Sequence, residues 1–305
     1  PPDEPFAANP PDGVVIDYYL ARSGFAPVTI EILDARGQLV RKFSSADKPP
    51  VTEEDLKKQL IPLYWLRPFR SLPSDAGMHR WVWDLHYPKP EATRHEYPIS
   101  AVPGDTPRLP LGPTALPGTY TVKLTADGTS YTASFAVKMD PRVKTSAAGL
   151  EKKFQLETRL ASWLSETSRA VLQAGSIREP LQKLNEQSSG TVRDSVQAFQ
   201  HKLVAVLGAP ASFAAPPSND MTLSRVNGQV AILYGQVWQV DAEPTASQSE
   251  AAATIGHEAS DVMKRWEALR TMDLSALNRA LGGANLPEVK IDSDPHQQET
   301  NTDEE

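Results

Sequence analysis

Signatures of several common chemistries are missing from this sequence of 305 residues. It has no cysteine, which excludes disulfides, thiolate nucleophiles and cysteine-ligated zinc but leaves the compartment open. It contains no apolar run of about 18 residues or more, so no transmembrane helix is predicted. It also lacks the Gly-x-Ser-x-Gly elbow, a glycine-rich phosphate loop and the His-Glu-x-x-His zinc motif. The sequence therefore offers no motif for these enzyme classes.

An excess of basic residues is also lacking. The net charge is -7, and residues 292–305 contribute -6 of it, because they hold six acidic side chains and no lysine or arginine. The other 291 residues therefore carry a net charge of -1. A nearly neutral body without a basic stripe disfavours nucleic acid as a partner. We predict that 286–305 is a disordered acidic tail.

Proline is scarce in one half of the chain, and this scarcity divides the sequence. Twenty of the 27 prolines lie at or before Pro141. Because proline is excluded from helix interiors but tolerated in loops and at strand edges, the first half is predicted to be β and the second helical. The predicted organisation is a linker over 1–13, a β domain over 14–141 and a helical domain over 142–285. The opening has no signal-peptide pattern, and we expect the chain to be a piece of a larger protein.

Alternation of apolar and polar residues predicts strands in the first half. About five to seven strands separated by turns predict an immunoglobulin-like β-sandwich. Two long loops interrupt it, at 44–76 and 88–117, and the second is too rich in proline to be a helix. The strand-forming segments are VVIDYYL (14–20), PVTIEILDARGQLVRKF (27–43), GMHRWVWDLHYP (77–88) and GTYTVKLTADGTSYTASFAVKMD (118–140).

The segment GMHRWVWDLHYP presents a choice between chemistry and packing. Asp84 and His86 have the i,i+2 spacing of a metal-binding pair on a strand, whereas His79 points to the opposite face. That opposite face also carries Trp81 and Trp83, which is typical of a buried core strand. We therefore predict a core strand with Asp84 and His86 solvated on its far face, and no metal site.

Apolar residues at spacings of three and four predict helices from Ser146 onwards. Ser176 and Glu179 are predicted to form a capping box that restarts a helix, and Asp273 is predicted to cap the last one. Short connections between amphipathic helices favour an up-and-down antiparallel α-helical bundle. The side chains predicted to face one another in its core are Leu160, Leu164, Phe199, Leu203, Val230, Leu233, Val262 and Trp266.

LIPLYWLRPF (60–69) is the most unusual segment, because it places aromatic side chains in a loop that is otherwise expected to be polar. Tyr64, Trp65 and Phe69, with Tyr97 from the second loop, are the candidate residues for binding a ligand or partner. Arg67 is predicted to stack on a neighbouring ring or to pair with an acid of the partner. Three interpretations stay open: the loop covers an edge or end of the sandwich, it docks another domain, or its rings stack on a sugar.

The order of several motifs along the chain is distinctive. They are NPPDG (9–13), VIDYYL (15–20), VTIEILDARGQLVRKFSS (28–45), YWLRP (64–68), AGMHRWVWDLHYP (76–88), YPISAV (97–102), LGPTALPGTYTVKLTADG (111–128) and VKMDPRV (137–143). This order resembles the C-terminal region of large bacterial proteins that carry sortilin-type β-propellers with Asp-box (bacterial neuraminidase, BNR) repeats, often labelled glycosyl-hydrolase-like. The β part also resembles, in architecture alone, the immunoglobulin-like domain of flagellar hook-capping proteins.

The resemblance implies a role for the parent protein rather than a catalytic site in this chain. The Asp-box propeller does not lie within these 305 residues, and any active site is expected on it, so the resemblance assigns no catalytic residue, metal or cofactor here. It implies a non-catalytic accessory module, periplasmic or secreted, whose partner is the propeller of the same parent protein. The alternatives are a carbohydrate-binding module and a segment of a glycoside hydrolase that supplies loop residues to an active site on the propeller.

Overall fold

The computed structural model describes residues 11–24, 26–57, 61–98, 104–209 and 221–292. They divide into two compact units. The first, the sheet unit, lies within Pro1–Lys89 and Glu96–Thr145, and the second, the helical unit, lies within Pro90–His95 and Ser146–Glu305. The helical unit thus takes a short segment from the proline-rich loop, so neither unit is one continuous stretch of chain.

The strands of the described residues form two antiparallel sheets in the sheet unit. One sheet pairs β1 with β4, and the other has the strand order β3-β2-β5-β6. In the loops, a short helix α1 spans Glu53–Lys57, and a 3-10 turn spans Leu63–Trp65. The strands are β1 (Val14–Leu20), β2 (Thr29–Leu33), β3 (Leu39–Ser44), β4 (Gly77–Trp83), β5 (Gly118–Ala126) and β6 (Thr129–Val137).

The core of the sheet unit is built around Trp83, whose side chain is fully buried. The rings of Tyr120 and Phe135 meet it edge-on, with centroids 5.5 and 6.2 Å away. Strand alternation supplies the remaining apolar side chains, since every second residue of β1 and β2 points inward. The buried members of this core are Ile16, Tyr18, Leu20, Val28, Ile30, Ile32, Val40, Leu72, Trp83, Ala115 and Tyr120.

The two faces of β4 are as the sequence predicts, but the segment that follows the strand is not. His79 lies on the inner side, with its ring 5.2 Å from that of Tyr18, while Met78 is exposed. The strand ends at Trp83, and Leu85 adopts a left-handed backbone with φ of 62°. Asp84 and His86 therefore do not share a solvated strand face, and that prediction is wrong, because the chain turns before reaching them.

In the helical unit, the first helix begins at Ala147. The side chain of Ser146, just before it, accepts a hydrogen bond from the Gly149 amide and caps this helix. The α6 helix begins with a capping box between Thr245 and Gln248. None of the described helices is long and apolar enough to cross a membrane. The helices are α2 (Ala147–Ser176), α3 (Arg178–Gln187), α4 (Gly190–Leu207), α5 (Leu223–Trp238), α6 (Ala246–Ala268) and α7 (Leu274–Gly283).

Two of the predicted helix caps are wrong. Ser176 still belongs to α2, and its hydroxyl donates to the Gln173 carbonyl oxygen instead of capping α3. Asp273 has helical backbone angles, because a π-helical segment, Leu269–Asp273, leads directly into α7. Its carboxylate accepts a hydrogen bond from Lys202 on α4 rather than from the start of α7.

The eight side chains predicted for the helical core are all buried, which confirms the chosen helix faces. Trp163 and Trp238 pack on this core and are partly exposed. The prediction of a disordered tail from residue 286 begins too early. Val289 is buried, its amide and carbonyl both hydrogen-bond to the Asn278 side chain, and Leu286 packs against the same core. The rest of that predicted tail, 293–305, lies outside the described residues.

The segment Pro90–His95, which we call the strap, is held in the helical unit by a polar network. Thr93 donates to the Asn227 side-chain oxygen at 3.2 Å. The amide nitrogen of Asn227 donates in turn to the hydroxyls of Thr167 and Ser168 at 3.0 and 2.8 Å. Near the start of the strap, the Glu91 carboxylate pairs with Arg169. Buried polar groups of this kind are stabilising only when paired, and here they fix the strap on α2 and α5.

Candidate functional site

The aromatic segment of the first long loop folds into a tight turn. Pro62 enters it in an extended conformation, and the amides of Trp65 and Leu66 donate to the carbonyl oxygens of Pro62 and Leu63 at 3.0 and 3.1 Å. Such short 3-10 turns place successive side chains on different sides of the chain. Leu66 consequently points inward and is buried, whereas Tyr64 points outward and is 67% exposed.

A second loop segment fixes this turn through its backbone. Gly104 donates to the Tyr64 carbonyl oxygen at 2.7 Å, and Thr106 donates to that of Trp65 at 3.0 Å. The Arg67 amide returns a hydrogen bond to the Thr106 carbonyl oxygen at 2.9 Å. Leu66 and Thr106 thus form a parallel β-bridge, and both are buried. The turn is therefore pinned to the sheet unit at its base while its tip remains open to solvent.

The tip is a surface of three exposed residues and the half-buried Trp65, which we call the aromatic rim and define as Leu63, Tyr64, Trp65 and Phe69. The rings of Tyr64 and Trp65 lie 5.5 Å apart at an interplanar angle of 38°. Phe69 is 46% exposed and Leu63 is exposed as well. Four large apolar side chains held in a short, hydrogen-bonded segment are unusual for a solvated loop and are typical of a binding surface.

Charged groups border the rim. Arg67 Nε donates to the Asp105 carboxylate at 2.7 Å, and both side chains are more than a third exposed. This ion pair lies within the chain, and the predicted pairing of Arg67 with an acid of a partner stays a prediction. Tyr97, the fifth predicted residue, is half-buried in the second loop. Of the three residues Tyr64, Trp65 and Leu66, only Leu66 is enclosed by the protein.

Of the other candidate cluster, Asp84 and His86 lie side by side, with 3.8 Å between a carboxylate oxygen and Nδ1, but His79 does not complete a group of three with them. His79 Nε2 hydrogen-bonds to the Asp75 carbonyl oxygen at 2.7 Å, and His86 Nδ1 to that of Asp84 at 2.6 Å. Among the described residues, no group of three or more His, Cys, Asp or Glu side chains is placed to hold a metal ion. Both imidazoles thus contact nearby backbone carbonyl oxygens, and the His86 carbonyl oxygen in turn accepts a hydrogen bond from the buried Trp83 ring nitrogen.

Sequence reasoning missed Lys89, at the start of the second loop. Its ammonium donates to the Arg108 carbonyl oxygen at 2.9 Å. The residue as a whole is exposed, yet the protein around its ammonium removes enough water to lower its pKa to about 8. Positive charges of Arg108, Arg41 and Arg67 act in the same direction, and Asp84 opposes them. Only the fold gathers these cations, so no local signal in the sequence could have identified the site.

Comparison of the chain with protein-family models, with curated proteins and with solved structures finds no match. None of the three comparisons therefore identifies a family for the chain.

Proposed function

We propose that this chain is a non-catalytic interaction module that packs against the β-propeller domain of its own parent protein. In this proposal the two sheets form an immunoglobulin-like sandwich and α2–α7 form an antiparallel bundle. The observation that carries the proposal is the aromatic rim, a partly exposed apolar surface on a hydrogen-bonded base. The choice of a propeller as partner, and of the periplasm or cell exterior as location, rests on the resemblance between the motif order and propeller-bearing bacterial proteins.

The composition of the rim agrees with a contact between domains of one protein. Interfaces of this kind mix polar and apolar groups and are less apolar than a protein core. Tyrosine, tryptophan and arginine are the residues that contribute most to binding at protein interfaces. Tyr64 and Trp65 would insert into the partner, while the Arg67–Asp105 pair would supply hydrogen bonds at the border.

Prior ordering of the rim favours binding. Association costs the conformational entropy of the loops and side chains that become fixed, and a preformed surface loses less of this entropy. The backbone of Tyr64–Arg67 is already bonded to Gly104 and Thr106, so docking would need to order little more than side-chain rotamers. A loop of the same composition without these bonds would bind less tightly.

The test is the affinity of the full chain for the separately expressed propeller domain, measured by calorimetry. Tyr64→Ala/Phe69→Ala should weaken binding roughly thirtyfold, since truncating an interface hot spot costs about 2 kcal/mol or more. Tyr19→Ala/Met78→Ala is the matched control, because it removes two large, exposed side chains that face each other on β1 and β4, away from the rim in sequence. The control should bind like the wild type. A wild type that does not bind the propeller, or a rim variant with unchanged affinity, would refute the proposal.

A carbohydrate-binding module is the second candidate, and one observation favours it. Two neighbouring aromatic rings beside an exposed Arg–Asp pair can offer both a stacking platform and hydrogen-bonding groups to a sugar. A glycan array probed with the same variants separates the two functions. Glycan binding that is lost in Tyr64→Ala/Phe69→Ala, together with propeller binding that is not, would favour the sugar.

A further inference from the structure

The strand β6 forms one lateral edge of the four-stranded sheet. One of its sides pairs with β5, and no strand of the described residues pairs with the other. The β5–β6 register runs without a bulge from Ala126 opposite Thr129 to Gly118 opposite Val137. An edge of this regularity presents a straight row of amide and carbonyl groups that are ready to pair with another strand.

The usual protections of an edge strand are absent from β6. Its sequence, TSYTASFAV, contains no charged residue, no proline and no glycine, and all its residues except Phe135 and Val137 are exposed. The opposite edge of the same sheet is different. There β3 carries Arg41 and Lys42, and its register with β2 shifts near Leu33. Charges and irregularities of that kind prevent edge-to-edge pairing, so of the two edges of this four-stranded sheet, as far as the structure describes it, β6 is the one left open.

An apolar groove of about 640 Å³ runs beside this open edge. Side chains of β1, β5 and β6 line it, among them Tyr19, Leu124 and Tyr131. Tyr131 is 63% exposed although it lies on the same strand face as the core residue Phe135. An ion pair of 3.5 Å between Arg22 and Asp127 joins the end of β1 to the turn before β6. A strand added to β6 would therefore gain backbone hydrogen bonds and also cover apolar surface.

We propose that the outer edge of β6 pairs antiparallel with β6 of a second copy of this chain. The register that pairs all nine residues of both strands is centred on Ala133. It places Thr132 opposite Ser134 of the second copy and Tyr131 opposite its Phe135. A two-fold axis would continue the four-stranded sheet of one chain into that of the other.

The charge pattern of β6 favours a second copy over another occupant. Around a two-fold axis the same strand supplies both sides, so two like charges would readily meet at a charged edge. Like charges directly opposite each other destabilise a strand pair, whereas aromatic pairs stabilise it. Because β6 is uncharged, no like charges would oppose each other in the pair. In the proposed register the aromatic pair of Tyr131 with Phe135 of the second copy forms twice, once on each side of the axis. This interface uses no residue of the aromatic rim and is independent of the proposed docking to a propeller.

The test measures the mass of the full chain in solution by light scattering and sedimentation velocity over a wide concentration range. The wild type should be a dimer. Thr132→Glu/Ser134→Glu should be a monomer, because glutamates would oppose each other twice across the axis. Thr132→Glu/Ser134→Lys should restore the dimer, since the same two positions would then carry opposite charges. Leu39→Glu, an exposed change on the opposite edge strand β3, should leave the dimer intact.

Three results would overturn the inference. The first is a wild type that is monomeric at every concentration, and the second is a dimer that survives Thr132→Glu/Ser134→Glu. The third is a Thr132→Glu/Ser134→Lys variant that is folded by circular dichroism but stays monomeric. If the double glutamate variant does not fold, hydrogen exchange of the wild type decides. Alternate amides of β6, those that face outward, should become more protected as concentration rises, and unchanged protection would refute the pairing. A wild-type monomer that instead captures an extended peptide on β6 would also refute it.

Discussion

The indole of Trp83 joins three parts of the sheet unit. It touches the rings of Tyr120 on β5 and Phe135 on β6, and its nitrogen donates to the His86 carbonyl oxygen at 3.0 Å. Both the apolar body and the single polar atom of the side chain are therefore satisfied in the core. Close packing leaves such a site little freedom to collapse around a smaller side chain.

Trp83→Ala is expected to lower the unfolding free energy of the sheet unit by about 3 to 5 kcal/mol, the usual cost of truncating a large buried aromatic. Denaturant unfolding followed by circular dichroism measures it. Trp65→Ala is the control, because that indole lies at the rim and is only partly buried. Equal costs for the two variants would mean that Trp83 does not hold the core together.

Lys89 is a residue whose ionisation opposes folding. Its pKa is about 8 in the folded chain, below the ordinary value of 10.5, so the unfolded chain binds more protons between these two pH values. Stability from this group must therefore rise with pH across that interval and stay constant below it. The residue is exposed, so the size of the effect is moderated by solvent.

The pH dependence is best measured as a difference. The unfolding free energy of the wild type minus that of Lys89→Gln should increase from about pH 8 to pH 10.5, the interval set by the folded and ordinary pKa of the lysine. Other groups titrate in both proteins, and their contributions cancel in the subtraction. A difference that stays flat or falls over this interval would contradict the lowered pKa.

At the scale of single elements, the helix caps show why local motifs are insufficient. Ser176 with Glu179 and Thr245 with Gln248 both fit the capping-box pattern, yet only the second pair forms one. A capping residue needs an extended backbone, as Thr245 has with ψ of 160°. Ser176 lacks it because α2 continues through it, and the burial of Ile177 immediately afterwards keeps the chain against the helical core.

The strap on α2 and α5 is an element that a local pattern could not identify either. Asn227→Leu is expected to lower the unfolding free energy of the helical unit by about 1 to 3 kcal/mol, because buried hydroxyls of Thr167 and Ser168 lose a donor. Thr93→Ala removes only the bond from the strap to Asn227 and should cost less, about 1 kcal/mol. Thermal and denaturant unfolding of both variants measure the two costs.

The outcome of the comparison between these variants is decisive. If Thr93→Ala costs as much as Asn227→Leu, the strap and not the internal Asn227 network carries the stability. If neither variant has an effect, the strap is not fixed by these hydrogen bonds at all.

At the scale of the whole molecule, proline distribution and hydrophobic period were enough to place strands before helices and to select inward faces. Those features follow from local rules, since a period of two buries one side of a strand and a period near 3.6 buries one side of a helix. Val230 and Trp266 were predicted to be buried for this reason, and so was Trp83. The aromatic rim was visible too, because a cluster of rings in a loop is anomalous in any sequence.

Other features depend on which distant residues meet, and local rules do not specify that. The sequence left open whether the aromatic loop is covered, and in the structure Gly104 and Thr106 hold the backbone of Tyr64 and Trp65 while the Tyr64 ring stays in solvent. The membership of the strap in the helical unit was decided in the same way, by the partner that Asn227 offers to Thr93. Patterns along the chain predict most strands, helices and buried faces, because these depend on neighbouring residues. The exposure of the Tyr64 ring, the place of the strap and the open edge of β6 follow only from the fold, because each depends on pairing between segments far apart in sequence.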